Sequence, residues 1–392
     1  MKKPDAWHLA RRAEDIAPFH VMELLAKAKQ LEAMGETIIH MEVGEPDFPT
    51  ASPIIRAGQE ALAQGYTGYS PALGLPALRE AIAGHYRRRY EVDVDPSRII
   101  VTCGASGALQ LVLGVLVDIG DEVLMTDPGY PCNRHFVRLF EGHGRNVAVH
   151  RDTRYQLTAE ILRAHWTRST VAALVASPAN PTGTIIDEEE LEAMIEYARR
   201  QKGFLIVDEI YHGLVYGKQA RTALAFSDEV FVINSFSKYF GMTGWRLGWI
   251  VAPPAYVRML EKLQQNIFIC APTPAQHAAL AAFTPEAEAI FEKRRETFGQ
   301  RKDFLLPALR ELGFDIPVTP EGAFYLYANC ERLGIDSMEL SRRLLKEAGV
   351  AITPGIDFGS FGASQHVRFA YTTSLEQLHE GVERIARFLG QD

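Results

Sequence analysis

The feature that most constrains this chain is a series of short apolar runs between Arg98 and Asn234, each ending in small or polar residues. Residues 98–103, 122–126, 171–177, 204–207 and 229–234 are rich in β-branched and aromatic side chains and read as buried strands. Between them, 105–118 and 187–200 repeat their apolar positions with helical spacing. Strands alternating with helices predict an α/β fold, a mostly parallel sheet flanked by helices. Ligands bind such sheets at the carboxyl ends of the strands, so the polar residues closing these runs are the functional candidates.

Lys238 follows the run 229–234, in a turn that also carries Ser235, Ser237 and Arg246. A lone loop lysine is ordinarily a solvated surface charge. Among apolar neighbours and beside a second cation it loses its proton more readily and becomes a nucleophile for carbonyls. Arg246 supplies that cation, and its planar fork also suits a phosphate. Asp208 closes the run 204–207, where a carboxylate needs a cation or a donor to stay ionised. No histidine pair or acidic cluster offers a metal site there, so a cationic ligand group is the expected partner, with Tyr211 a phenolic donor nearby.

Asn180 sits between Pro178 and Pro181, after the strand-like residues 171–176. It is either a turn residue bonding its own backbone or an amide held at the ligand edge. Cys103-Gly104-Ala105-Ser106-Gly107 joins a strand to a helix start, whose free N–H groups suit an anion. The loop lacks the Lys-Ser/Thr ending of a P-loop and the three-glycine fingerprint of a dinucleotide fold. Arg368, in the apolar run 366–370, expects a carboxylate or phosphate, with a structural ion pair as the competing reading. Gly44 opens Gly44-Glu45-Pro46-Asp47, a bend that also lets backbone approach a ligand.

With 392 residues, 47% of them hydrophobic, the chain can bury one large core and a smaller one without staples. The expected division is an N-terminal arm and part of a small domain over 1–50, a large domain over 51–285, and a connecting helix with a small α+β domain over 286–392. After Gly248 the pattern turns helical, over 255–267, 274–282 and 286–312; short strands are expected at 37–43, 323–328, 351–353 and 366–370. The net charge of −8 argues against a nucleic-acid surface, and Arg87-Arg88-Arg89 reads as a solvated helix end. The four cysteines are scattered, which excludes a disulfide framework or a zinc site and makes the cytoplasm the expected location. Residues 1–15 carry charges throughout, so no signal-like leader is expected, and no apolar run reaches membrane-spanning length.

Taken in order, the Gly44, Gly104 and Asn180 loops, Pro128-Gly129-Tyr130-Pro131, Asp208-Glu209-Ile210-Tyr211, the Lys238 turn and Arg368 resemble the fold type I pyridoxal-phosphate-dependent aminotransferases of class I/II, the aspartate aminotransferase superfamily. The resemblance runs from Gly44 to Tyr371. It implies pyridoxal 5'-phosphate as cofactor, linked to Lys238 as a Schiff base, with Asp208 keeping the ring nitrogen protonated. Tyr211 and Asn180 would bond the ring's phenolate oxygen, and Tyr130 would stack on the ring. Ala105 and Ser106 backbone, Ser235, Ser237 and Arg246 would hold the phosphate.

By the same resemblance the enzyme is a homodimer, with Tyr69 reaching the neighbouring site. Arg368 would grip the substrate α-carboxylate, assisted by Gly44 backbone and Asn180. The implied reaction moves an amino group from an L-amino acid to a 2-oxo acid in a ping-pong cycle. One bacterial subgroup of aspartate aminotransferases uses a lysine where this chain has Ser106, and small hydroxyl residues where it has Phe19, His20 and Val21. A neutral or apolar donor is therefore expected, with aspartate-type transfer or carbon–sulfur lysis as the alternatives.

Overall fold

A computed structural model describes residues 9–217 and 219–391. The strands are β1 (Ile39–His40), β2 (Ile99–Thr102), β3 (Glu122–Asp127), β4 (His143–Ala148), β5 (Thr170–Ala176), β6 (Phe204–Asp208), β7 (Phe231–Ser235), β8 (Gly248–Val251), β9 (Tyr325–Asn329), β10 (Val350–Ala351), β11 (Thr353–Pro354) and β12 (His366–Ala370). The first helices are α1 (Arg11–Asp15), α2 (His20–Ala33), α3 (Ser52–Ala63), α4 (Pro76–Tyr90) and α5 (Gly104–Leu116). Residues 1–8 of the expected arm lie outside the described residues; 11–15 form α1.

Strands β2 to β8 form one sheet in the order β2-β8-β7-β6-β5-β3-β4, in which every pairing is parallel except those of β8. Alternate residues face two separate apolar clusters: Phe231 and Ile233 pack with Leu109, Leu111 and Val112 of α5, whereas Val232 packs with Trp249, Phe236 and Phe240. Both faces are covered, which is why these strands read as unbroken apolar runs. Because β8 runs opposite to both its neighbours, β2 points the same way as β7, and the carboxyl ends of β2, β3, β5, β6 and β7 share one edge.

Two strands depart from the sequence expectation. β8 lies where the helical pattern was expected to begin at once; its four residues, all buried, are too short to announce a strand. β4 is an edge strand with half of its residues exposed, so it lacks an apolar run. The strand expected over 37–43 is regular only at Ile39 and His40, which lie in parallel register with Val350 and Ala351, while the Met41 N–H donates to Ala351 O at 3.0 Å. Arg89 is also not the solvated helix end it was read as: it donates to Tyr239 Oη and Glu292, while Arg87 and Arg88 stay exposed. A third sheet, β11-β12-β9, is antiparallel and sets Arg368 opposite Thr353 and Tyr327. None of the described helices is long and apolar enough to cross a membrane.

Candidate active site

The loops leaving the shared strand edge enclose a cavity of about 290 Å³, completed by Arg368 from β12 and by the first turn of α2. Gly44, Ala105, Ser106, Tyr130, Asn180 and Asp208 line it, as do Tyr211, Ser235, Ser237, Lys238, Arg246 and Arg368. Of the sequence-selected residues, Tyr69 and His20 do not: Tyr69 is 83% exposed, between α3 and α4, and His20 bonds Glu23.

Lys238 lies one turn beyond β7, and its Nζ donates to the Gly44 carbonyl at 2.7 Å. A side chain at Gly44 would run into the Tyr325 phenol, so only glycine lets this backbone approach the amine. Burial holds the Lys238 amine down at about 8; Glu45 opposes the shift, and Arg368 and Arg246 reinforce it. Asp208 is buried at the end of β6, accepts the Ile210 N–H at 3.1 Å, and is pushed up to about 6 by burial. A cation brought against this carboxylate would restore its charge. Tyr211 exchanges a hydrogen bond of 2.8 Å with Tyr325, and burial raises its phenol well above the ordinary value.

At the other end of the cavity, α5 begins at Gly104 with no side chain capping it, so its first N–H groups are free for a ligand. Gly104 has φ +72, and a side chain there would meet the Arg246 guanidinium, which therefore lies directly over the helix start. Ser235 Oγ and Ser237 Oγ bond each other at 3.0 Å beside it. Arg246 itself takes a left-handed conformation, φ 54, unusual for a residue with a side chain and common where a site fixes the backbone.

Arg368 is bonded by neutral groups. Its Nη1 donates to Asn180 Oδ1 at 2.9 Å and its Nη2 to Glu42 O and to Thr353 Oγ1. Asn180 thus gives its Oδ1 to the arginine rather than to its own backbone, which leaves its amide nitrogen to donate elsewhere. Among the described residues no carboxylate pairs with Arg368, and its Nε has no partner. Tyr325 and Phe358 sandwich the guanidinium, with ring centroids 4.3 Å and 4.8 Å away. A buried cation bound only by neutral groups favours an incoming anion.

Glu42, Thr353 and Thr243 carry no signature in the sequence, because their contributions are a carbonyl, a hydroxyl behind the arginine, and a hydroxyl on the rim. Glu209, next to Asp208, points away from the cavity: its Oε1 accepts from Thr222 and Ala223 N–H, and its Oε2 faces His212 Nδ1 at 3.4 Å. Burial pushes Glu209 up to about 8 and His212 down to about 3, so near neutrality the proton resides on the carboxyl and the pair is uncharged.

The family model described as aminotransferase class I and II matches residues 36–385. The chain belongs to this family. The aminotransferase is 38% identical over 376 residues to the valine–pyruvate aminotransferase of Mycobacterium tuberculosis, covering 95% of this chain and 97% of that one. It is equally similar, 38% over 386 residues, to the (5-formylfuran-3-yl)methyl phosphate transaminase of Methanocaldococcus jannaschii, with 98% and 100% covered. Its structure superposes on that of an aminotransferase from Mycobacterium tuberculosis with a TM-score of 0.95 at 37% identity, over 99% and 100% of the two chains. On the aspartate aminotransferase of Thermus thermophilus with maleate, the TM-score is 0.92 at 35% identity, over 97% and 100%.

Proposed function

We propose that this aminotransferase holds pyridoxal 5'-phosphate in the cavity described above and moves the amino group of an L-amino acid with a neutral or apolar side chain to a 2-oxo acid, in a ping-pong cycle. Its family works with this cofactor, and the donor set fits it. The uncapped start of α5, Ser235, Ser237 and Arg246 suit the phosphate. Asp208, its carboxyl raised by burial, suits a protonated ring nitrogen. Tyr211 and Asn180 suit the ring's phenolate oxygen, and Tyr130 suits its face. Lys238 would hold the group through its amine. When bound, pyridoxal phosphate supplies a carbonyl that condenses with amines and a ring that accepts the electron pair released at the donor's Cα.

The chain's own residues do the rest. Arg368 takes the α-carboxylate on its buried fork and Asn180 orients it, which sets the Cα–H toward Lys238. Once the donor's own amine takes its place, the freed Lys238 Nζ, held at about 8, can take that proton and return it elsewhere. Asp208 holds the proton on the ring nitrogen. Phe324, 5.9 Å from Nζ, and Tyr325 help keep water from the amine. We further propose that the enzyme is a cytoplasmic homodimer in which Tyr69 completes the neighbouring site, and that segments 1–50 and 286–392 act as a small domain against 51–285.

The donor class rests on one observation. The cations lining the cavity are Lys238, Arg246 and Arg368, each with a task above, while Phe19, Val21, Met22 and Leu109 leave an apolar wall for the side chain. A second carboxylate would find no cation there and would meet Glu45. The test follows the visible absorbance of the cofactor-loaded enzyme as single amino acids are added. Alanine, leucine, methionine and phenylalanine should bleach it and aspartate should not. Faster bleaching by aspartate than by these four would overturn the donor class. Release of pyruvate and sulfide from a cysteine conjugate without an acceptor would replace transfer by lysis.

A further inference from the structure

Helix α2 begins in an unusual way. Its cap position is Phe19, which has no side-chain oxygen to offer the free N–H groups of the first turn. Those groups are bonded instead by a residue from the far end of the chain: the His20 N–H donates to Asp357 Oδ1 at 3.0 Å and the Val21 N–H to Asp357 Oδ2 at 2.8 Å. The carboxylate is 2% exposed and lies in the turn Gly355–Asp357. Its charge also complements the positive end of a fourteen-residue helix.

The turn that carries Asp357 is itself fastened to the sheet edge. Gly129 N–H donates to Phe358 O at 2.8 Å, and Arg134 donates to Asp357 O at 3.0 Å. The carboxylate of Asp127, the last residue of β3, accepts from the Ser360 N–H at 2.9 Å and from Ser360 Oγ and the Phe361 N–H. The other end of α2 packs elsewhere: Leu24 and Ala28 join Ile38, Leu345 and Ala351. Asp357 is therefore the polar tie between the first turn of α2 and the frame of the cavity. That first turn supplies Phe19, Val21 and Met22 to the cavity wall.

We propose that Asp357 is a positioning residue that determines donor specificity: by capping α2 from outside the helix, it frees the cap position for Phe19 and holds Phe19, Val21 and Met22 where they meet the donor's side chain. The proposal rests on the apolar-donor reading above. A helix with its own Ser, Thr, Asp or Asn cap would present a polar group at that place. Moving the cap to another segment leaves the wall apolar at its closest point. Asp357 makes no hydrogen bond to Lys238 or to the Arg368 guanidinium, although its charge is felt at Arg368 and its neighbour Phe358 packs there; the effect of its loss on the donor's side chain is therefore read against alanine, which reports any change at the fork.

The experiment compares cofactor-loaded wild type, Asp357→Ala and Asp357→Asn, measuring kcat and KM for alanine and for leucine, with hydrogen exchange at the amides of residues 20–22. In Asp357→Ala the KM for leucine should rise roughly five- to tenfold, while kcat and the alanine KM stay within about twofold. Exchange at 20–22 should accelerate with no change across β12. Asp357→Asn, which keeps one acceptor, should fall between, and it serves if the alanine variant does not fold. Phe19→Ala should shift the leucine-to-alanine ratio by itself, and adding Asp357→Ala to it should change that ratio little. An equal rise in KM for both donors would overturn the proposal, since Asp357 would then act on the α-carboxylate grip. An unchanged ratio with accelerated exchange would also overturn it, leaving only a structural cap. Failure of the underlying reading looks different: wild type itself would prefer aspartate.

Discussion

The cavity has two walls of unlike construction. The wall carrying Asp208, Tyr211, Ser235 and Lys238 grows from the ends of adjacent strands in a sheet covered on both faces. The wall carrying Phe19, Val21 and Met22 is one helical turn, with Met22 52% exposed, tied down by a single carboxylate. Displacing a residue of the first wall means opening the sheet; displacing one of the second means repacking a few apolar contacts. On the proposed reading, the reaction is built into the wall anchored by the sheet, and the choice of donor into the wall held by few contacts.

Substitutions on the two walls should sharpen this contrast by acting on different quantities. Lys238→Ala should lower turnover about 10⁴-fold or more for every donor, read by single-turnover kinetics. Arg368→Ala should cut kcat/KM by roughly 100-fold irrespective of side chain, and Arg368→Lys should not restore it, because a lysine lacks the fork that bonds Asn180 and Glu42 together. Capture of the cofactor by the apoprotein should accelerate with pH and level off above about 8, because the Lys238 amine is protonated below that value. Stopped-flow absorbance from about pH 6 to about pH 9 measures it; a flat profile would mean the amine is not held low by its surroundings.

On the helical wall, Phe19→Ala should lower the leucine-to-alanine preference about tenfold and leave kcat for alanine nearly unchanged. The smallest effect is expected behind the rigid wall. Glu209→Gln should keep activity within about twofold, because the carboxyl it replaces is already uncharged near neutrality. The sign in stability follows from the raised value: the proton on Glu209 favours folding at low pH, and that contribution is lost as pH rises through about 8. The melting temperature of Glu209→Gln relative to wild type should thus climb between about pH 4 and about pH 8. A drop in activity beyond tenfold would mean that Glu209 works as an anion.

What the sequence made legible follows the same division. β2, β3, β5, β6 and β7 were readable because burial on both faces demands apolar runs, and their end residues were readable because a buried strand cannot close on a charge without reason. β4 was not, being an edge strand with half of its residues exposed, nor was β8, which is four residues long and starts at a glycine. Phe19 and Val21 were recognised as an apolar departure, but nothing marked Asp357. A cap supplied across 337 positions leaves no local pattern, and an acid in a surface-like turn reads as solvated until the fold brings it to α2.

The parallel pairing of β1 with β10 has a consequence in time. Residues 39–40 find their partners only at 350–351, whereas the seven-stranded sheet needs nothing beyond residue 251. On a growing chain the large sheet and the Lys238 turn can be complete while the amino-terminal helix still waits for a surface to dock on. Arg368 and Asp357 then emerge close together near the end of synthesis. On the roles proposed above, substrate grip and donor selection would arrive last, as one event, on a scaffold already closed.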